Sequence, residues 1–178
     1  MPHAVTHFII AVVLVDIFRD RFVKNKKSFP LHYILIAGIA SLIPDLDVLI
    51  YWILYYFGYT FNEIHRTFSH TLFVPLAFLI LGFAAKKLKS RELGKHHLKL
   101  STIFFVMSFA VFTHLLLDFL IAGTIMPLYP LTNFQTGLNL INFLPAHFQN
   151  TILPALDALI LILWFIHIEV KHKISSFI

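Results

Sequence analysis

His65-Arg66-Thr67-Phe68-Ser69-His70 stands at the mouth of an apolar run, Thr71 to Ala85. The run is of the kind that crosses lipid, and two imidazoles with a guanidinium at its end are costly unless something pairs with them. Such a cluster in a membrane chain marks a candidate functional site. The surrounding composition agrees with lipid as the solvent. The chain is 58% hydrophobic and 13% charged and carries 20 Phe in 178 residues, too apolar for a soluble domain of this size to bury. Several runs approach the roughly 20 apolar residues that cross a bilayer. The expectation is an all-α, polytopic membrane helical bundle, with a soluble bundle of unusually apolar core as the weaker alternative. Length alone suggests one domain, residues 1–178.

Charge distribution supports the same class. The formal net charge is +5, which in a soluble chain would invite a nucleic-acid reading. Every Lys and Arg except Arg66, however, falls in Arg19–Lys27, Lys86–Lys99 or Lys171–Lys173. Basic residues confined to alternate connections follow the positive-inside rule of membrane proteins, so no nucleic-acid partner is expected. There is no cysteine, hence no disulfide and no thiolate ligand. Met1-Pro2-His3-Ala4 lacks the basic leader of a signal peptide, so the first apolar run is expected to be retained.

In chain order, a first helix is expected over Ala4–Phe18, with Arg19-Asp20-Arg21 snorkelling at its end. Leu31 to Phe57 is apolar and too long for one plain crossing, and Pro44-Asp45-Leu46-Asp47 interrupts it, because proline removes a backbone donor. Further helices are expected over Phe68–Ala85, Leu100–Ala122 and Thr151–Ile168. The connection Gly123–Asn150 is almost uncharged, holds Pro127, Pro130 and Pro145, and reads as interfacial. The sum is about five transmembrane helices with a Pro-Asp break in the second. With the basic loops cytoplasmic, the N-terminus lies outside and the C-terminus inside. His7, His65, His70, His114 and Asp118 then share the outer half of one membrane, with Asp47 about 15 Å deep at helical rise.

His114 and Asp118, at i and i+4, share a helix face and are close enough to share a metal. The plainer reading is a hydrogen bond that pins two helices. Asp45 and Asp47 suit the first turn after Pro44. A dipole effect under about 1 kcal/mol nevertheless does not justify burying two carboxylates at several kcal/mol, whereas a divalent cation would offset that cost. His65 and His70 are five apart and cannot share one face of a continuous helix, so His65 is placed in the connection and His70 on the first helical turn. Arg66 suits an anion, either a headgroup phosphate or charge developing in a transition state; the alternative is a surface snorkel. Ser69 could donate to the same anion or only cap the helix. His7 is weighted above His3, with which it shares a face. Asp157 reads as an outer partner of the site, Asp16 as paired with Arg19 at i, i+3. His147, His167 and His172 read as interfacial, and His96 and His97 as solvated.

Together His7, Asp45, Asp47, His65, His70, His114 and Asp118 make a mixed imidazole–carboxylate set large enough for one or two divalent ions, zinc ahead of manganese or iron. These motifs, in order Thr6-His7, Leu42-Ile43-Pro44-Asp45-Leu46-Asp47, His65-Arg66-x-x-Ser69-His70-Thr71-Leu72 and His114-x-x-x-Asp118 followed by Pro127-Leu128-Tyr129-Pro130, resemble the YdjM-like family of membrane-bound, metal-dependent hydrolases. The likeness spans about His7 to Pro130 and implies the seven residues above as the polar site. A fainter similarity, limited to Asp45, a histidine and His114-x-x-x-Asp118, points towards zinc-dependent phospholipase C. Family members often carry His where this chain has Val48, and Thr where it has Ile121, with Thr124 three further on. Some members are described as binding a repressor; nothing here looks like such an element, and that property is not carried over.

The expected function is a membrane-embedded, metal-dependent hydrolase of the plasma or inner membrane. It would act near the outer face on a phosphoester of a lipid or lipid-like substrate, with water as the nucleophile. Arg66, Ser69 and Asp118 are the expected catalytic residues. The rivals are a metal or proton carrier using the same groups as a relay, and a structural protein whose polar cluster only packs helices.

Overall fold

The computed structural model describes residues 4–65, 67–87, 92–93, 98–121 and 123–172. Its helices are α1 (Ala4–Phe22), α2 (His32–Ala40), α3 (Asp47–Tyr55), α4 (Phe61–Ile64), α5 (Phe73–Lys87), α6 (Leu100–Ile121) and α7 (Ala146–His172). Two short strands, β1 (Glu92–Leu93) and β2 (Leu98–Lys99), pair antiparallel ahead of α6.

The first basic connection is built from local bonds. Arg19 Nε donates to the Phe29 carbonyl (2.9 Å) and Lys26 Nζ reaches Asp20 (3.0 Å), folding the chain back after α1. Asn25 caps the following 3-10 turn through its side-chain oxygen, which accepts from Lys27 N. α2 then packs antiparallel on α1, where Gly38 lets the helices close: a Cβ there would come within 2.6 Å of the Phe8 ring. The expected proline break is present. Pro44 opens a 3-10 turn, Pro44–Leu46, and the helical axes on its two sides differ by 47°.

Contact registers give each helix a direction. α6 runs parallel to α2, with Lys99 N donating to the Tyr33 hydroxyl (2.7 Å) at one end and His114 facing Ser41 at the other. α5 runs antiparallel to α6, tied by Ser108 Oγ to the Pro75 carbonyl (2.7 Å) and by Gly82 seated against Phe105. α7 runs parallel to α1, as the pairs Thr6–Asp157 and Asp16–His167 show. The segments α1, α2–α3, α5, α6 and α7 therefore alternate in direction. The packed centre lies among α1, α2 and α6, where Ala11, Ala37, Ala40 and Ala110 are at most 2% exposed and small side chains allow close approach. The outer faces show Leu49, Trp52, Ile53, Phe83, Ile162 and Phe165, more contiguous apolar surface than water tolerates.

Several boundaries differ from expectation. By length and composition, Leu100–Ile121 and Thr151–Lys171 are able to cross a membrane, and the bent pair α2–α3 makes a third. α1 carries Asp16, Arg19, Asp20 and Arg21 in its last turns, because the helix runs to Phe22 rather than stopping at Phe18. α5 has only 15 residues because it starts at Phe73, not Phe68. Thr67 Oγ1 donates to the Ile64 carbonyl (2.6 Å), Thr71 Oγ1 to the Phe68 carbonyl (3.2 Å) and Leu72 N to the Pro127 carbonyl (2.9 Å). The two threonine bonds offer the backbone a local alternative to helix and the Leu72 bond ties it to the distant Pro127 segment, so His70 sits in an irregular turn and not on a first helical turn. α7 begins at Ala146, ahead of Thr151, and holds Pro154 in its interior, as membrane helices tolerate. The connection before it is drawn together by an Ile125–Thr136 bridge.

Candidate metal centre

Each polar side chain is delivered by a different local device. Pro44 breaks the second segment and leaves Asp45 on the turn, with Asp47 as the first residue of α3. One-turn α4 is capped by Glu63, whose carboxylate accepts from Thr60 N (2.7 Å) and Thr60 Oγ1 (2.8 Å). The Thr60 backbone N–H, and then its hydroxyl, hold that carboxyl below the usual carboxylate range. α4 ends by handing His65 over in extended conformation. Ser69 and His70 follow in the irregular turn, His114 and Asp118 come from consecutive turns of α6, and His7 from the first turns of α1.

Four of these groups converge. His70 Nε2 lies 3.3 Å from His114 Nε2, 3.4 Å from Asp118 Oδ2 and 3.6 Å from Asp45 Oδ1. His114 Nε2 lies 3.5 Å from Asp45 Oδ1 and 3.7 Å from Asp118 Oδ2. Ligands about 2.0–2.2 Å from one ion at tetrahedral angles stand about 3.3–3.6 Å apart, close to the observed edges. The far sides of the rings are fixed as metal-ligating imidazoles require. His114 Nδ1–H donates to the Ser41 carbonyl at 2.7 Å, so its Nε2 presents a lone pair inward. His70 Nδ1 faces Ser69 Oγ (3.0 Å) and Asp47 Oδ2 (3.3 Å), with the same result. Two imidazole nitrogens and two carboxylates at this spacing are held together by a metal ion or by protons shared between ring and carboxylate. The buried groups fit a metal ion.

Burial separates the four. The side chains of His70, His114 and Asp118 are at most 1% exposed, whereas Asp45 is 28% exposed. Asp45 is therefore the corner that the surroundings reach. His7 stacks on His114 with ring centroids 3.7 Å apart and sets Nε2 3.5 Å from Asp118 Oδ1. His7–Asp45–His114 and Asp45–His65–His70 are further groups whose ligand atoms lie within 4.8 Å of one another. The seven residues named from sequence thus meet in one place, with one change of position. Asp47 belongs to none of the metal-capable groups among the described residues. Its oxygens are directed to His65 Nδ1 (2.9 Å), Ser69 Oγ (2.7 Å) and His70 Nδ1, so it stands behind the imidazoles. Ser69 donates to Asp47 rather than capping a helix.

Arg66, His3, His96 and His97 lie outside the described residues. Asp16 pairs with His167 (3.0 Å) and not with Arg19, whose guanidinium turns to Phe29 and Asp20; His167 is thereby a helix-pairing residue. His147 packs on Phe148 in the first turn of α7. Asp157 meets Thr6 of α1. At the positions where family members differ, Val48 and Ile121 are half-buried, and Thr124 is exposed. Sequence reasoning missed the Ser41 carbonyl, which as backbone carries no signal, and Thr6, whose only signal was its place beside His7.

Residues 1–174 match the family model described as YdjM inner membrane protein. No curated protein and no solved structure is significantly similar to the chain.

Proposed function

The chain belongs to the YdjM inner membrane protein family, and from that premise we propose that it is a membrane-embedded, metal-dependent hydrolase acting on a phosphoester of a lipid or lipid-like substrate. The observation that carries this reading is the convergence of Asp45 and Asp118 on the His70–His114 pair, with each carboxylate 3.4–3.7 Å from both imidazole Nε2 atoms. Mixed imidazole and carboxylate at that spacing favours zinc over manganese or iron. When bound, zinc supplies Lewis acidity and makes water acidic enough to ionise near neutral pH.

The chain's own groups divide the remaining work. His70, His114 and Asp118 hold the ion in a dry pocket, and Asp45 closes the fourth corner on the side open to substrate. Asp47 fixes His65 through Nδ1, leaving His65 Nε2 buried with no hydrogen-bond partner among the described residues. That nitrogen is the proton acceptor for the attacking water and the donor to the leaving oxygen. Arg66, the basic residue in the same short stretch, stabilises the developing negative charge. Ser69 spends its proton on Asp47, so an orienting role suits it better than oxyanion donation.

A lipid substrate is supported by an apolar groove of about 330 Å³ beside the site turn, lined by Phe68, Thr71, Phe78 and Tyr129 among others. The alternating helix directions support five crossings, and the basic connections then put the N-terminus outside, the C-terminus in the cytoplasm and the centre near the outer face. The carrier alternative needs polar groups continuous across the membrane. Here the inner polar pair Asp16–His167 stands ten residues along α1 and α7 from Thr6–Asp157, about 15 Å at helical rise, with Ile9, Val13 and Trp164 between.

The deciding experiment is elemental analysis of the purified protein with a phospholipid-hydrolysis screen of wild type, Asp118→Ala and His70→Ala. Stoichiometric metal with activity lost in both variants is expected. Metal-free protein, or undiminished turnover in both variants, overturns the reading.

A further inference from the structure

α7 is far less embedded in the bundle than α6, the other helix long and apolar enough to cross a membrane. Only 6% of its Thr151–Lys171 span is buried, and what it covers is α1. The pairs that join the two helices share one offset. Thr6 Oγ1 donates to Asp157 Oδ1, His167 Nε2 meets Asp16 Oδ2 at 3.0 Å, and Lys171 Nζ meets Asp20, each pair 151 positions apart. On α1 the rungs fall at Thr6, Ile9, Val13, Asp16 and Asp20, and on α7 at Asp157, Ile160, Trp164, His167 and Lys171. Steps of three and four alternate on both helices, the spacing of a parallel coiled-coil seam. The apolar rungs are loosely filled: Val13, Ile160 and Trp164 line a cleft of about 230 Å³. Register therefore depends on the polar rungs more than on packing.

The outermost rung lies beside the metal centre. Thr6 precedes His7, and both belong to the first turn of α1, where backbone N–H groups have no helical partners and ends fray. Thr6 is 4% exposed and Asp157 8%, so their hydrogen bond is sheltered from water and holds that turn against α7. On the next face of the same turn His7 stacks on His114 and faces Asp118. From this juxtaposition we infer that Asp157 is a positioning residue: by clamping Thr6 it sets His7 against the centre, while the inner rungs serve only to dock α7. The inference rests on the metal-centre reading given above. The inner rungs are not a second cation site, since Asp20 already faces Arg19, Lys26 and Lys171 and Asp16 faces His167.

The test compares the two ends of one seam in the full-length protein in detergent. Zinc affinity is measured by competition with a chromophoric chelator. Exposure of His7 is measured in metal-stripped protein by carbethoxylation and mass spectrometry. Asp157→Ala is expected to weaken zinc binding at least tenfold and to speed modification of His7 at least tenfold. Asp157→Asn, which keeps an acceptor oxygen, restores both to within about threefold of wild type. Asp16→Ala, which loosens the inner end of the seam, leaves both within twofold. Wild-type behaviour of Asp157→Ala in His7 modification overturns the inference, as does an equal effect of Asp16→Ala. If wild type binds no zinc, the metal reading fails by itself, and His7 modification still decides whether Asp157 positions that turn.

Discussion

His114 Nδ1 lies 2.7 Å from the carbonyl oxygen of Ser41, and that contact is available because α2 ends just short of the proline break. A carbonyl at the end of a helix has no helical donor. Pro44 ensures that the chain turns there rather than continuing, so the Ser41 carbonyl is free to accept from the imidazole. The same break places Asp45 opposite His114 Nε2. One proline thus supplies both the partner on the far side of the His114 ring and the position of Asp45 facing it.

Replacing Pro44 by Ala is expected to relax this arrangement. The freed N–H allows α2 to extend, withdrawing the Ser41 carbonyl and Asp45 together. Zinc affinity should fall by about 10–100-fold, the range for losing the group that orients a ligand, while the helical content of the protein stays near wild type by circular dichroism. Unchanged affinity would show that the break has no role in building the centre.

Asp47 and Asp118 are expected to behave differently although both are buried aspartates near the site. Asp118→Ala removes a corner of the tetrad, so purified protein should carry no stoichiometric metal. Asp47→Asn leaves the tetrad intact and disturbs the hydrogen bonds that Asp47 makes with His65, Ser69 and His70. Metal should be retained with affinity about 10–100-fold lower, and turnover should fall further than affinity does, since His65 also loses its fixed tautomer. Elemental analysis and steady-state turnover on the same preparations separate the two outcomes.

Legibility from sequence followed the range of each cause. The break at Pro44 and the pairing of His114 with Asp118 were readable because proline chemistry and the i, i+4 spacing act within a few residues. Membrane class was readable because composition is a property of the whole chain. The position of Asp47 behind His65 and His70 was not, since an acid that ligates and an acid that orients a ligand look alike until the partners' direction is known. The start of α5 was misplaced because Thr67 and Thr71 form side-chain bonds to nearby carbonyls that compete with helix, and an apolar pattern does not register them. The Asp16–His167 pair was missed for a different reason. A nearby Arg19 satisfied Asp16 on paper, and only the docking of α7 shows that the arginine is spent on the Phe29 carbonyl.

Stripping the metal is expected to destabilise the fold as well as end turnover. Removing the cation leaves two carboxylates and two imidazole lone pairs facing one another at 3.3–3.7 Å in a buried pocket. Ligand linkage contributes about 4.1 kcal/mol when free ion exceeds Kd a thousandfold, so EDTA treatment followed by buffer exchange should lower Tm in detergent by several degrees. Re-addition of zinc should restore it, and magnesium should not, because the set is rich in imidazole. A Tm indifferent to EDTA would argue that the pocket holds no ion.

Gly38 provides a test of the scaffold apart from the chemistry. A methyl group there would meet the Phe8 ring at 2.6 Å and Val12 at 2.8 Å, and both belong to α1, the helix that carries His7. Gly38→Ala should push α1 from α2 and cost about 1–3 kcal/mol, the usual penalty of overpacking a tight core. Gain in helix propensity recovers at most about 1 kcal/mol of this, so the net sign remains destabilising. Because His7 moves with α1 while His70 and Asp118 do not, the variant should bind metal more weakly, as Asp157→Ala does, and show faster chemical modification of His7. Thermal unfolding in detergent and mass spectrometry of the modified histidines report these two effects separately. A variant as stable as wild type with His7 still protected would mean that α1 tolerates a wider separation from α2 than the packing at Gly38 implies.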